Sequence, residues 1–494
     1  MTGDTQATTV GELPTPDNDR SRVPTALTRA VWLLWAASLG VLAAYALGDG
    51  RWAVPGLLAV DGLTVVLWVT VTFFSAIVHS YSRRYMAGTR TADAFFGKVF
   101  AFTLVVSVLV AADSVVLFAA SWLAMGLLMA ELIGHAEGWP QAQAAGATAR
   151  KHFLASSALV GVAVAALWAE TGASTVSGIA DGLAGSSTLV LLAAGALLLA
   201  AMVQSALLPF HTWLLSSMTA PTPASALMHA GFVNAGGVLL VRFAPVVTVE
   251  AWVMLVVVVV GAVSALGGKL LKTVRPDVKS KLGCSTVGQM GFMIVQAGLG
   301  FFGAAITHLI LHGFYKAYQF LAAGEQVDHE SPAKSTADRS RGPLGAAVVA
   351  LTAIAGGLLF AVLTGKGTEL GTGLLLVGIV VLTVLTAAGE VVTRASLPAA
   401  VRYGAVPLVA LPAIAVYGLA YNAVSGLLAG LPAVGHAAEL TPVHGLVGVA
   451  FLGIYLAIET GLYRRSERLY VALYNAGQPA SETLLTATED YNEY

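Results

Sequence analysis

Three ionisable side chains lie at helical spacing inside the apolar segment that runs from residue 301 to residue 323. His308, His312 and Lys316 follow one another at intervals of four residues, so a helix would place them along one stripe, about one turn apart. A charged group at the centre of a bilayer costs at least about 2.5–3.5 kcal/mol, so a membrane helix does not keep three without a use. Imidazole also exchanges protons near neutral pH. The row is therefore typical of a proton or ion relay.

Two other interpretations of this row remain open from the sequence. Histidines four residues apart can bind a metal ion or haem, but no third ligand cluster accompanies them, and Lys316 would repel a cation. The three side chains could instead make structural polar contacts between helices. Lys316 is the hardest to explain in this way, because a buried ammonium needs a carboxylate or must lose its charge.

Other polar residues in apolar segments extend the set of candidates. We predict that Glu131 and His229 belong to the same relay as Lys316, His312 and His308. Structural roles are the alternative: Glu131 could be a solvated helix end, and His229 could be a contact between closely packed helices. The secondary candidates are Gln204, His211, Asn234, Lys279 and Lys366.

The composition of the chain defines its class. The 494 residues are 57% hydrophobic and 11% charged, whereas soluble domains contain about 25% charged residues. An all-α polytopic membrane protein is therefore predicted. Cys284 is the only cysteine, which excludes a disulfide framework, a cysteine zinc knuckle and an iron–sulfur site within this sequence. No basic patch typical of nucleic-acid binding is present, and we predict neither a metal nor a cofactor in the chain.

Hydropathy predicts about fourteen transmembrane helices. The sixth is too long for one span and contains Leu208-Pro209 at its middle. Proline removes a backbone donor and interrupts the helical hydrogen bonds, so this helix should be discontinuous. The predicted spans are 26–48, 57–81, 95–112, 113–134, 151–170, 187–217, 222–245, 251–272, 280–298, 300–323, 343–364, 369–390, 403–428 and 442–463.

Basic residues are distributed unevenly between the predicted loops. If the N-terminus is cytoplasmic, most of the 26 lysines and arginines lie on the cytoplasmic side, and only Arg51, Arg242 and Lys366 lie toward the other side. This asymmetry predicts that both termini are cytoplasmic. Residues 1–25 would then form a disordered cytoplasmic tail and residues 464–494 a second tail. The C-terminal tail and the charged loop at 324–342 are natural docking surfaces for a soluble partner.

Two long blocks of sequence resemble a known family. Residues 207–245 contain LLPFHTWLLSSMTAPTPASALMHAG, and residues 279–324 contain GQMGFMIVQAGLGFF followed by the histidine row. Both resemble the antiporter-like subunits of respiratory complex I and of Mrp-type cation/proton antiporters, as does VDGL at 60–63. In detail, MHAGFVNAGG and the tail sequence LYNAGQPASETLLT are similar to the DabB family, the membrane subunits of DAB-type inorganic-carbon accumulation complexes.

This resemblance implies two inverted five-helix repeats, each with one broken helix, which are expected at 95–245 and 246–390. The N-terminal helices at 26–94 would precede the repeats, and the C-terminal helices at 391–463 would follow them. The discontinuous sixth helix then belongs to the first repeat. Its counterpart would be the eleventh helix, interrupted near residues 364–367. Sites in such folds lie near the midplane of the membrane.

The sequence departs from the family in its first half. Gln204 occupies the position of a lysine in the broken helix, and Leu123 follows Trp122 where the family has a glutamate. The carboxylate in this span is instead Glu131, about two helical turns farther along. The usual glutamate–lysine pair of the first repeat is thus absent or rearranged, which favours a specialised branch over a respiratory subunit.

The resemblance also implies a function. The chain is expected to be the proton- or sodium-conducting membrane subunit of an energy-coupled inorganic-carbon (CO2/bicarbonate) uptake complex, without enzymatic activity of its own. Its partner would be a DabA-type cytoplasmic protein with a zinc site of carbonic-anhydrase character. One alternative is a subunit of a Mrp-like antiporter or a complex I-like dehydrogenase. Another is a membrane anchor that conducts nothing.

Overall fold

The computed structural model describes residues 21–48, 52–323, 342–392, 398–435 and 437–484. Most of the predicted N-terminal tail at 1–25 and nearly all of the predicted docking loop at 324–342 lie outside the described residues, as do residues 485–494 of the C-terminal tail. Thirteen elements cover the N-terminal half: α1 (Val23–Leu47), β1 (Trp52–Val54), β2 (Leu58–Val60), α2 (Gly62–Tyr85), α3 (Ala92–Ala111), α4 (Val115–Ile133), α5 (Pro140–Thr171), α6 (Val176–Gly182), α7 (Thr188–Gln204), α8 (Thr212–Ser216), α9 (Thr222–Ala230), α10 (Ala235–Arg242) and α11 (Ala244–Val247).

All secondary-structure elements in the C-terminal half of the described chain are helices. Its elements are α12 (Ala251–Val274), α13 (Val278–Gly298), α14 (Phe302–Leu321), α15 (Gly342–Thr364), α16 (Thr372–Val392), α17 (Ala399–Leu428), α18 (Pro442–Glu459) and α19 (Glu467–Ala476). The two short strands β1 and β2 form one antiparallel hairpin ahead of α2.

Eleven of the described helices are long and apolar enough to cross a membrane. They are α1 to α5, the combined α9–α10 unit, α12 and α15 to α18. The remaining predicted spans coincide with α7, which has 17 residues, and with α13 and α14, which carry ionisable side chains. The chain is therefore an all-α polytopic membrane protein, as the composition predicts.

The predicted interruption in the sixth span is present. Helix α7 ends at Gln204, and α8 begins only at Thr212. Side chains of this region bind carbonyl groups of two spans: the Trp213 indole donates to Val203 O at 2.9 Å in the sixth span, and the Ser205 hydroxyl donates to Val233 O at 2.6 Å in the seventh. These bonds satisfy backbone groups that a broken helix would otherwise leave exposed in an apolar interior.

The structure corrects the prediction for the eleventh span. Helix α15 runs without interruption from Gly342 to Thr364. Gly365 and Gly367 adopt φ angles of 66° and 79°, a left-handed conformation that ends a helix rather than interrupting one. The glycine pattern therefore marks the turn from α15 to α16. Lys366 lies in this turn, with Nζ 4.6 Å from the centre of the Phe301 ring.

The seventh span contains a second interruption that the sequence did not predict. Helices α9 and α10 are separated at Gly231 by a short 3-10 turn, Phe232–Asn234. The Asn234 side-chain amide donates to Ala230 O at 2.8 Å and so binds one of the carbonyl groups at the interruption. This irregular segment begins at Gly231, two residues after His229.

Glycines allow α13 and α14 to approach their neighbours closely. A Cβ atom on Gly268 of α12 would lie 2.2 Å from Gly288 N of α13, and one on Gly291 would lie 2.3 Å from Ala265 N. On α14, a Cβ at Gly313 would meet the Phe74 ring at 2.4 Å and Ala230 O at 2.9 Å. Any side chain there would separate the helices that position the candidate site, since real Cβ atoms do not approach backbone so closely.

A buried ion pair joins α2, α3 and α10 on the side of the protein where the hairpin lies. Arg242, at the end of α10, pairs with Asp61, which caps α2 by accepting from Thr64 N at 2.9 Å. Arg242 also donates to Val110 O of α3 at 2.7 Å. Burial raises the pKa of Asp61, but Arg242 and the hydrogen bonds from Thr64 outweigh it and hold the pKa below its ordinary value.

We expect Arg242→Ala to destabilise the fold by about 3–5 kcal/mol, because it leaves the buried Asp61 carboxylate unpaired. The double variant with Asp61→Asn should recover most of the loss. Thermal unfolding in detergent can be followed with a thiol-reactive dye, since Cys284 is the only cysteine of the chain and is buried. Arg84→Ala, at an exposed position near the end of α2, is the matched control. If Arg242→Ala and Arg84→Ala unfolded at the same midpoint temperature, the stabilising role of the Asp61–Arg242 ion pair would be contradicted.

Candidate ion-relay site

The histidine–lysine row of α14 is buried along one face of the helix. His308, His312 and Lys316 are all enclosed by protein. The two imidazole rings lie nearly parallel, with centroids 5.6 Å apart and planes inclined by 18°. Phe292 of α13 meets His308 edge to face at 5.3 Å. The i, i+4 spacing therefore places the three side chains along one face of the helix, as the sequence predicts, and the two imidazole rings stack.

Lys316 is held by oxygen atoms of α13. Its Nζ atom donates to Leu282 O at 2.8 Å and makes a short hydrogen bond to the Ser285 hydroxyl. Among the described residues, no carboxylate lies within ion-pair distance of this amine. A carbonyl and a hydroxyl group solvate an ammonium without fixing its charge, so this lysine can gain and lose a proton without breaking an ion pair.

His229 joins Lys316 through the same turn of α13. Its Nδ1 atom lies 2.9 Å from the Thr286 hydroxyl, and that hydroxyl donates its one proton to Leu282 O at 2.9 Å. Thr286 can then only accept from His229, which assigns a proton to Nδ1. The His229 ring stacks on Phe320 of α14 at 4.2 Å. Leu282 O thus accepts directly from Lys316 and from the Thr286 hydroxyl, and that hydroxyl in turn accepts from His229.

The α13 groups were missed by the sequence prediction. Ser285, Thr286 and the carbonyl of Leu282 lie within one turn of α13 and connect residues of two other helices. The only signal was a pair of hydroxyl residues inside a predicted span, where serine and threonine commonly bond to their own helix backbone. Nothing in their spacing distinguishes the two uses.

A cavity of about 610 Å³ reaches the two histidines of the row. His308, His312 and Gln289 line it on one side, and it extends to Lys272 near the end of α12 and to Glu459 at the end of α18. His308 Nε2 and both ring nitrogens of His312 have no hydrogen-bond partner within the described part of the chain. Polar atoms beside a space of this size can bind water, which would carry protons between the row and the membrane surface.

Glu131 lies outside this row. Its carboxylate is 48% exposed and pairs with Arg150 at 2.5 Å and with Lys98 at 3.6 Å. This is the solvated helix end that the sequence left open as an alternative. The structure therefore brings together four of the five predicted relay residues and leaves the carboxylate in a surface ion-pair cluster.

The buried amides lie near the helix interruptions. Gln204 is the last residue of α7 and is fully buried, and neither of its side-chain polar atoms has a partner among the residues that the structure describes. Asn234 Oδ1 is likewise without a partner there. Buried amides without protein partners are costly, so the Gln204 position is suited to binding water or an ion.

The remaining secondary candidates have structural contacts outside the row. His211 Nε2 lies 2.8 Å from Ala476 O at the end of α19, so it ties the interruption after α7 to the C-terminal segment. Lys279 donates to Met218 O at 3.3 Å. Lys366 packs over Phe301 in the α15–α16 turn. None of these three contacts the stacked histidines.

Among the described residues, the structure adds no third metal ligand to His308 and His312. Within the described ranges, no three His, Cys, Asp or Glu side chains come close enough together to hold a metal ion. Lys316 lies one turn beyond His312 and would repel a bound cation.

Two family models match the chain. Residues 112–354 match the transmembrane family described as NADH:quinone oxidoreductase/Mrp antiporter. Residues 50–96 match the N-terminus of complex I chain 5, NADH-ubiquinone oxidoreductase. The buried polar residues described above, from Gln204 to Lys316, lie inside the first match.

Curated relatives fall into two groups. The "Probable inorganic carbon transporter subunit DabB1" of Halothiobacillus neapolitanus is 38% identical over 56% of this chain and 50% of its own length. The DabB protein of Hydrogenovibrio crunogenus is 36% identical over 60% of this chain and 56% of its own. NADH-quinone oxidoreductase subunit L of Mycobacterium tuberculosis is 36% identical over 55% of this chain and 43% of its own length. The chain thus spans about half the length of the curated relatives that it matches.

The fold has a counterpart among solved structures. A chain of the Mrp complex from Dietzia sp. DQ12-45-1b matches with a TM-score of 0.55 and 24% sequence identity, over 95% of this chain and 52% of that chain. At this level of identity the match supports the antiporter-like fold and nothing finer.

Proposed function

We propose that this chain, which carries the transmembrane domain of the NADH:quinone oxidoreductase and Mrp antiporter family, is the ion-conducting membrane subunit of an inorganic-carbon uptake complex. The observation on which this depends is the buried row of His308, His312 and Lys316 beside a cavity that reaches the helix ends. The DabB names of similar proteins support carbon as the transported element. The chain has no enzymatic role in this proposal.

Protons or sodium ions would move inward down their gradient through the second half of the chain. Water in the large cavity exchanges protons with His308 and His312, and Lys316 is the next group of the row that takes up and releases a proton. His229 already donates its Nδ1 proton to Thr286, so it would exchange a proton at its Nε2 atom, which has no partner among the described residues. One charge crossing 100 mV releases about 2.3 kcal/mol, which shifts a two-state equilibrium more than tenfold. This energy drives the uptake of CO2 or bicarbonate.

The proposal includes a soluble zinc partner of the DabA type on the cytoplasmic face, with both termini of this chain on that side. The zinc and the CO2 hydration chemistry belong to that partner. The C-terminal segment supports such coupling, because it contacts the interruption after α7 and the short helix α8 that follows it. His211 binds Ala476 O, and the Ser216 hydroxyl accepts from Ala480 N at 2.9 Å. A partner bound to α19 would therefore act directly on the broken helix.

The test combines purification with transport. Purified from its own membrane, the chain should bring a zinc-containing soluble protein in fixed ratio, and the pair should restore carbon accumulation to a host that lacks carbonic anhydrase. An uncoupler should stop accumulation while the two proteins remain together. Accumulation that survives the uncoupler, or a preparation free of zinc that still transports, would contradict the proposal.

A second candidate is a subunit of a Mrp-like antiporter or a dehydrogenase, favoured by the similarity to subunit L and by the match of residues 112–354 to the NADH:quinone oxidoreductase/Mrp antiporter family. In that case the chain would purify with several small membrane proteins, and everted vesicles would show cation-dependent proton movement without any effect of inorganic carbon. A membrane anchor would show neither activity.

A further inference from the structure

A second, smaller cavity lies in the first half of the protein, away from the stacked histidines. It has a volume of about 50 Å³ and is lined by α2, α3, α4 and the α9–α10 unit, with Leu309 of α14 at one edge. Its wall consists almost entirely of aliphatic and aromatic side chains, among them Phe102, Val106, Trp122 and Met125. The proposed ion path does not use this space.

Few polar atoms reach this cavity, and most of them are already bonded. The Thr70 hydroxyl donates to Val66 O at 2.8 Å. Arg242 is engaged by Asp61 at the hairpin side. The exception is Asn234, which is 1% exposed: its amide nitrogen binds Ala230 O, but its Oδ1 atom has no partner within the described chain.

Such a space is poorly suited to water. A buried water normally makes two to four hydrogen bonds, and cavities lined by aliphatic and aromatic groups stay dry and bind apolar guests such as xenon. One water occupies about 10–15 Å³ on this measure of volume, so 50 Å³ admits a guest of several non-hydrogen atoms. The cavity therefore favours a small apolar molecule over an ion or a file of water.

CO2 has the size and the charge distribution that this wall would select. It is linear and has no net dipole, so it enters an apolar space without losing strong hydrogen bonds to water. Its carbon atom is electron-poor and attracts a carbonyl oxygen, as carbonyl carbons do in weak contacts between carbonyl groups. Asn234 is the one lining residue whose side-chain oxygen has no partner in the described chain. That oxygen is itself buried in the wall, so a rotation of the side chain would present it to CO2.

We propose that this cavity is a binding site for a small apolar gas molecule, with CO2 as its physiological occupant. The choice of CO2 over other gases rests on the proposed function, whereas the apolar site itself does not. A site of this kind would hold dissolved CO2 within the membrane subunit, next to Arg242, which pairs with Asp61.

Xenon is the probe for the site. The full chain, in nanodiscs of phosphatidylcholine, should show a slowly exchanging bound-xenon signal by NMR saturation transfer. Val106→Phe fills the cavity and should abolish the signal. Val108→Phe, on the same helix but at a position that is 39% exposed and outside the cavity lining, is the matched control and should leave the signal unchanged. Met125→Ala enlarges the cavity and should strengthen xenon binding, which keeps the test decisive if Val106→Phe does not fold.

Competition by CO2 identifies the occupant. At constant pH, dissolved CO2 should displace xenon from the wild-type protein, and Asn234→Leu should weaken this competition about threefold, the value of one weak carbonyl contact. Xenon binding that is equal in Val106→Phe and Met125→Ala, failure of CO2 to compete, or an acyl chain found in the cavity would overturn the proposal. Xenon binding needs no ion gradient, so failure of the uncoupler experiment would contradict the proposed function without contradicting the apolar gas site.

Discussion

Replacing Lys316 with alanine should abolish gradient-driven carbon uptake while the protein still folds and assembles. The amine is fully buried and is held by Leu282 O and Ser285 rather than by a carboxylate. Its removal therefore eliminates a titrating group without leaving a charge of opposite sign unpaired in the interior. Uptake of labelled bicarbonate, measured at equal amounts of membrane-inserted protein, gives the result directly.

Two charged residues outside the row provide controls for Lys316→Ala. Glu131→Gln should retain most of the uptake, because Glu131 lies in a half-exposed ion-pair cluster whose single contacts are worth about 0–1 kcal/mol. Lys366→Ala should do the same, because Lys366 lies in the α15–α16 turn. Wild-type uptake by Lys316→Ala would refute the relay. Loss of the protein from the membrane would instead show that the amine is structural.

His308 and His312 should behave as one unit. Their rings are stacked at 5.6 Å, so a proton on one affects the other and the pair titrates in shared steps. Each alanine variant should lower ion-coupled uptake about a hundredfold or more, the scale of a lost proton-transfer group. The double variant should be little worse than either single variant, since a path broken at one point is not made worse by a second break.

The measurement is a double-mutant cycle on the initial rate of uptake, with surface expression as the normaliser. His152→Ala is the histidine control, because His152 bonds within its own helix α5 at a partly buried position and lies apart from the cavity. Losses that multiply in the double variant would indicate two independent contributions and would contradict a shared path. Retained activity in both single variants would remove the histidines from the mechanism.

Patterns that are local in the chain determined most of the architecture. Runs of apolar residues predict the membrane helices because a bilayer requires about twenty of them per span. Proline predicted the interruption after α7 because it removes a backbone donor. Likewise, the intervals of four residues placed His308, His312 and Lys316 on one face of α14, since helical periodicity is independent of the surrounding protein. The two sequence blocks that resemble the antiporter-like family, residues 207–245 and 279–324, contain most of the same elements.

Contacts between distant segments were decided only by the tertiary structure. Thr286 is 57 residues from His229, and Leu282 is 34 residues from Lys316, so no local pattern could assign the α13 turn to the site. Glu131 pairs with Arg150 across two helices, which removed it from the row, and glycines that resembled an interruption proved to be a turn after α15. Spacing along the chain orients a side chain on its own helix. Its partners depend on which helices pack together, and close approaches such as that of Gly313 to Ala230 O determine that packing.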